Sequence, residues 1–164
     1  MLHAQDTQFA IDFLARGVSG SPASPGHAWI CLYHGPDVGP PIRNCVGFYP
    51  SPQSSVVLGL VTAKNYPSVV NENDVNADPG QTATVGFHGD ITQVQYAAVQ
   101  SIIAQWKSRG YNIAWQNCAD FVDAVALAIG LDEPPGNGPR YPPTFVAALG
   151  AKNPNHLSPI SPAR

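Results

Sequence analysis

The sequence predicts an α+β fold, in which an antiparallel β-sheet packs against helices that follow it in the chain. Short runs of β-branched and aromatic residues fill the N-terminal half and are separated by clusters of Gly, Pro and Ser. From residue 92 onward, apolar residues recur at helical spacing instead. A chain of 164 residues with 44% hydrophobic residues can bury the core of one domain. We therefore expect a single domain over residues 1–152 and a proline-rich tail, or ordered coil, over residues 153–164.

The predicted strands share a high content of apolar residues, either alternating or continuous, and are bounded by turn-forming residues. They cover residues 7–15, where a short helix would also fit, and residues 27–33, 42–49, 56–63 and 84–88. The Gly- and Pro-containing residues 34–41 are expected to join the second and third strands as a hairpin. Residues 71–81 are polar and predict a surface loop.

Two main helices are predicted after the strands. Thr92 is a good N-cap for a first helix that ends near Gly110. The second helix covers residues 118–129, is apolar on most sides and should therefore be the central one. Residues 144–149 predict one or two further helical turns.

The composition excludes several classes of function. A net charge of −3 leaves no basic surface of the kind that attracts nucleic acids or anionic membranes. The apolar runs are too short to cross a bilayer, so no stable membrane insertion is expected. The cysteines and histidines lack metal-ligand spacing, and no Gly-rich phosphate loop is present, so we expect neither a metal nor a cofactor. The N-terminus does not resemble a signal peptide, which favours synthesis in the cytoplasm and, for an exported protein, a specialised secretion system.

Cys118 is the strongest candidate for a reactive residue. It lies at the predicted start of the second helix, where the helix dipole favours a thiolate, and two polar amides precede it. The alternative is a buried structural cysteine. Cys31 and Cys45 lie in apolar strands and are interpreted as small buried hydrophobic residues, which could also form a disulfide if their strands are neighbours.

His27 is the candidate base for this thiol, because an imidazole beside a cysteine is the usual means of activating it. It opens a predicted strand and is flanked by the small residues Gly26 and Ala28, which leave room for a groove. A structural or surface histidine is the alternative. His88, at the end of another predicted strand, is the rival base.

Two short motifs resemble those of the circularly permuted papain-like hydrolases of the NlpC/P60 type. They are Gly-His-Ala-Trp-Ile over residues 26–30 and Asn-Cys-Ala-Asp-Phe-Val over residues 117–122, and residues 91–111 resemble the helix that leads into the cysteine. In this group the histidine strand precedes the cysteine helix. The group includes bacterial cell-wall peptidases and the lecithin:retinol acyltransferase-like acyltransferases and phospholipases. The latter typically carry Glu-His where this chain has Ala119 and Asp120.

The resemblance implies a Cys118–His27 pair and a third polar group that orients the imidazole. Tyr49 is the polar side chain expected opposite His27 in the hairpin, whereas Asn44 is too close to the turn. The alternatives are Ser51 or Gln53, which could curl back, the carboxylate of Asp90, a water molecule or a backbone carbonyl. An oxyanion hole would combine the backbone N–H of Cys118 with one side-chain amide. The two candidates for that amide are Gln116 and Asn112.

Three hypotheses about function follow. The first is a cysteine hydrolase that cleaves an amide bond in peptidoglycan peptides, delivered as an antibacterial toxin and matched by an inhibitory immunity protein. The second is an acyltransferase or phospholipase that uses the same pair of residues on lipids, although no basic amphipathic helix supports membrane docking. The third is a non-catalytic binding module in which the cysteine is structural.

Overall fold

Six β-strands form one antiparallel sheet, which confirms the predicted α+β class. The computed structural model describes residues 8–17, 26–35, 41–51, 65–72, 83–136 and 140–160. Within these residues the strands are β1 (Gln8–Arg16), β2 (His27–Gly35), β3 (Ile42–Pro50), β4 (Ser68–Asn71), β5 (Val85–Ile91) and β6 (Ser158–Pro159). Their order in the sheet is β4-β3-β2-β1-β5-β6, and each neighbouring pair is antiparallel.

The described helices cover one face of this sheet. They are α1 (Gln93–Trp106), α2 (Cys118–Ala128) and α3 (Pro142–Lys152). Helix α2 packs on β2 and β3, whereas α3 packs on β1 and β5. Helix α2 is the central one, as predicted, because it also contacts both other helices. The main core lies between the sheet and this helical layer, and its strand residues include Ile11, Phe13, Ala28, Ile30, Val46 and Phe48.

The strands alternate between this helix face and a second, outer face. We define the outer face by the buried residues Leu14, Trp29, Cys31 and Cys45, which form a separate apolar cluster. Cys31 and Cys45 are directly opposite each other on β2 and β3 and form a disulfide. The sheet therefore separates two apolar layers, and successive residues of each strand belong to different layers.

The structure differs from the sequence predictions at several boundaries. Helix α1 ends at Trp106, before Gly110, and the chain leaves it through a turn in which the backbone N–H groups of Ser108 and Arg109 bond to carbonyls three residues back. Helix α3 is longer than predicted, since two prolines are accommodated in its first turn, where a backbone N–H is not needed. The expected strand over residues 56–63 lies outside the described residues.

The segment expected as a tail packs onto the domain as far as the structure describes it. Asn153 is buried, and its side chain holds the backbone of Asp132 through one donated and one accepted hydrogen bond. Leu157 joins the main core, and Ser158 pairs with His88 in the sheet. Residues 153–160 therefore pack against the sheet and helices described above.

Candidate functional site

The first turn of α2 is held by a capping box. The Asn117 side-chain oxygen accepts hydrogen bonds from the backbone N–H groups of Ala119 and Asp120, at 2.8 and 3.3 Å. In return, the Asp120 carboxylate accepts from the backbone N–H of Asn117 at 2.9 Å. Cys118 is the first residue of the helix, and its thiol is free and buried. Its own backbone N–H lies outside this cap, where a bound oxyanion could use it.

Tyr111 lies beside this thiol. The pKa of its phenol is raised, first by burial and then by the nearby charges of Cys118 and Asp120. Its ring packs on Phe48, with the two ring centroids 5.4 Å apart, and Phe48 in turn contacts Phe121 one turn further along α2. The cysteine therefore sits in an aromatic environment on the helix face of the sheet.

His27 begins β2, directly after Gly26, whose positive φ of 83° and close approach to the Arg16 carbonyl leave no room for a side chain. The imidazole is buried and stacks on the ring of Tyr49, with 4.2 Å between centroids. It also stacks on Trp29, at 5.6 Å. Tyr49 thus lies against the imidazole, as the hairpin register predicts. The contact that the two side chains make is a stacking of their ring faces.

Strand alternation places His27 and Cys118 on different faces of the sheet. His27 points to the outer face with Trp29, whereas its neighbour Ala28 belongs to the same core cluster as Cys118. Both residues nevertheless lie at the same end of the sheet, because Phe48, next to Tyr49 on β3, packs against the start of α2. The His27 ring could therefore contact the Cys118 thiol only by reaching around the end of β2.

The two predicted oxyanion amides hold the turn that precedes α2. Asn112 and Gln116 exchange two backbone hydrogen bonds of 2.9 Å each. The Asn112 side-chain oxygen accepts from the N–H of Ala114, and the Gln116 side chain donates to the carbonyl of Gly110. These contacts show that the Asn112 and Gln116 side chains stabilise the turn before α2. Trp115, at its tip, is 53% exposed.

Arg140 forms an ion-pair cluster with three carboxylates that the sequence reasoning did not identify. Its guanidinium contacts Asp120 at 2.7 Å, Asp123 at 3.1 Å and Glu133 at 2.5 Å. It also lies over the ring of Phe145, 5.3 Å from the centroid. The cluster links the segment before α3 to the first turns of α2 through ion pairs. Sequence spacing could not predict it, because Arg140 lies 20 positions after Asp120.

A pocket of about 250 Å³ lies beside this cluster. It is lined by Arg140 and by mostly apolar residues, among them Pro134, Tyr141 and Phe145. No group of three or more His, Cys, Asp or Glu side chains in the described ranges could hold a metal ion.

His88, the rival base, belongs to a hydrogen-bonded group on the outer face. Its Nδ1 lies 2.6 Å from the buried carboxylate of Asp12, and its Nε2 lies 3.7 Å from Asp90. The Tyr33 hydroxyl donates to the other Asp12 oxygen at 2.6 Å. Burial and the contact with Asp12 raise the pKa of Tyr33 to about 12, so its phenol stays protonated. This group does not include Cys118, which lies on the other face of the sheet.

The fold has a counterpart among solved structures. The crystal structure of the type VI secretion system effector TseH matches 94% of this chain and 98% of that chain, with a TM-score of 0.58 and 15% sequence identity. At this identity the match shows a shared fold and not a shared activity. No protein-family model matches the sequence, and neither does any curated protein. No helix in the described part of the chain is long and apolar enough to cross a membrane.

Proposed function

We propose that this protein is a secretion-system effector that acts as a cysteine hydrolase, with Cys118 as the nucleophile and His27 as its base. The observation that carries the proposal is the placement of a free thiol at the capped N-terminus of the central helix. The shared fold with an effector supports the effector role. The resemblance of the two motifs to permuted papain-like hydrolases supports the chemistry.

The proposed reaction uses the groups at this end of the sheet in order. His27 takes the thiol proton, and the Cys118 thiolate adds to the carbonyl carbon of an amide. The backbone N–H of Cys118 donates to the oxyanion that forms. The amine then leaves with the proton from His27, and a thioester remains on Cys118. Water attacks this thioester with the help of His27, which releases the acid and restores the thiol.

Peptidoglycan peptides are the proposed substrate, because bacterial cell-wall peptidases belong to the group that the motifs resemble. An inhibitory immunity protein in the producing cell is the corresponding proposed partner. Tyr49 is proposed to hold the imidazole by stacking, since its ring lies against His27. In this structure the His27 ring lies on the outer face and the Cys118 thiol on the helix face, so the proposed proton transfer requires the imidazole to turn around the end of β2 toward the thiol.

The test is digestion of purified peptidoglycan and its stem peptides by the wild-type protein, followed by mass spectrometry of the products. We expect new amine and carboxylate ends, which Cys118→Ala and His27→Ala should both abolish. His88→Ala is the matched control, since the ring of this histidine is held by the carboxylate of Asp12 on β1, and it should retain cleavage. An intact substrate, or full cleavage by Cys118→Ala, would refute the proposal. Fatty acid released from phospholipid vesicles in a parallel assay would indicate the lipid reaction instead.

A further inference from the structure

Arg140 is a charged residue that is linked to the candidate site through the carboxylate of Asp120. Its guanidinium binds Asp120 at 2.7 Å, and Asp120 also accepts the backbone N–H of Asn117 at 2.9 Å. One carboxylate therefore connects Arg140 to the residue that directly precedes Cys118. Arg140 and Asp120 are mostly buried, with 21% and 16% of their side chains exposed, so solvent screens their charges only weakly.

Asp120 has opposing effects on the thiol. As the third residue of α2 it completes the capping box and so fixes the turn that carries Cys118. Its carboxylate, however, is bonded to the backbone N–H of Asn117, the residue directly before Cys118, and a negative charge this close to the thiol disfavours a thiolate. A cation paired with Asp120 cancels that charge and leaves the cap in place.

We propose that Arg140 is a positioning residue, which acts through Asp120 to fix the first turn of α2 and to favour the thiolate of Cys118. The three contacts of its guanidinium are consistent with this role. Two of them, to Asp120 and Asp123, lie on consecutive turns of the same helix, and the third reaches Glu133 in the segment before α3. This inference rests on the proposed function only in treating Cys118 as the reactive thiol.

The experiment measures the rate at which iodoacetamide modifies Cys118 at pH 7, without any substrate. Cys118 is the one cysteine outside the disulfide, so the reagent reports on it alone. In Arg140→Gln, the uncompensated Asp120 charge should slow modification about threefold to tenfold. In the double variant Arg140→Gln/Asp120→Asn, the rate should return to within about twofold of the wild-type rate. Asparagine keeps an oxygen that can accept the Asn117 N–H.

If the role of Arg140 were purely structural, Cys118 would react faster in Arg140→Gln than in wild type, because a loosened core exposes the buried thiol. Glu133→Gln is the control, since it removes an exposed partner of the same guanidinium that has no link to Asn117, and its rate should stay within about twofold of wild type. Unchanged or faster modification of Arg140→Gln would overturn the proposal, as would a double variant that is no faster than the single one.

If Arg140→Gln fails to fold, as judged by its thermal melt, Asp120→Asn alone decides the question. With Arg140 in place and the carboxylate removed, the rate of Cys118 modification should reach half its maximum at a lower pH than in wild type, whereas a loosened core would speed the reaction without moving this half-point. An unmoved or higher half-point would overturn the proposal. These rates require no substrate. Uncleaved peptidoglycan together with the expected rates would refute the hydrolase proposal and leave the role of Arg140 intact.

Discussion

Asp123 makes a specific contribution to the pH dependence of stability. Its side chain is 9% exposed, and one of its oxygens is buried with no hydrogen-bond partner in the described parts of the chain. Burial raises the pKa of this carboxyl from 3.8 to about 6, against the opposing effect of Arg140. Ionising Asp123 is therefore more costly in the folded state than in the unfolded chain.

The sign of the effect follows from linkage. Because the pKa of Asp123 is higher in the folded state, the folded state holds its proton more tightly, and the protein loses stability as the pH rises from about 4 to about 6. Above pH 6 the full penalty is about 3 kcal/mol, the free energy that corresponds to the difference between these two pKa values. Between pH 4.5 and 7.5 the penalty should grow by about 2 kcal/mol.

The perturbation is Asp123→Asn, which cannot ionise. Any fixed cost of the buried amide is the same at both pH values, so it cancels in the comparison. The free energy of unfolding of the variant minus that of wild type, from urea titrations, should rise by about 2 kcal/mol between pH 4.5 and pH 7.5. Asp132→Asn removes an exposed carboxyl from the neighbouring segment and should give a nearly constant difference. A constant or falling difference for Asp123→Asn would refute the reasoning.

Three further predictions concern the packing around the site. Phe121→Ala empties a fully buried position and should lower the free energy of unfolding by about 3–5 kcal/mol in urea; a loss below about 1 kcal/mol would contradict a packed core there. Asn117→Ala removes the helix cap and should cost about 1 kcal/mol, so an unchanged urea midpoint would argue against the cap. Reducing the Cys31–Cys45 disulfide in a Cys118→Ser background should cost about 2–4 kcal/mol, and equal stability with and without reductant would contradict its role.

The sheet and the central helix could be predicted because local patterns determine them. Alternating and β-branched runs mark β1, β2, β3 and β5, since each strand presents an apolar side to a buried layer. The Asn117 cap and the apolar run after it mark the start of α2. The short strands β4 and β6 escaped prediction because they hold few residues and depend on a partner strand and not on their own sequence.

The electrostatic parts of the site could not be predicted from spacing. Arg140 and Asp120 lie 20 positions apart, and their contact depends on how the segment before α3 returns to α2. Asp12 and His88 lie 76 positions apart and meet because β1 and β5 are neighbours in the sheet. A sequence pattern contains the residue types of such clusters but not the strand order that brings them together.

The fold separates the three cysteines according to the roles proposed for them. Cys31 and Cys45 pair on the outer face, whereas Cys118 lies in the core on the helix face, so the sheet itself keeps the free thiol away from the disulfide. The disulfide also fixes the register of β2 against β3, and the same register places Tyr49 against His27. A disulfide persists in oxidising compartments outside the cytoplasm. If the proposed action on the cell wall holds, this hairpin would stay cross-linked where the protein works, and the sheet would keep the Cys118 thiol from mispairing with it.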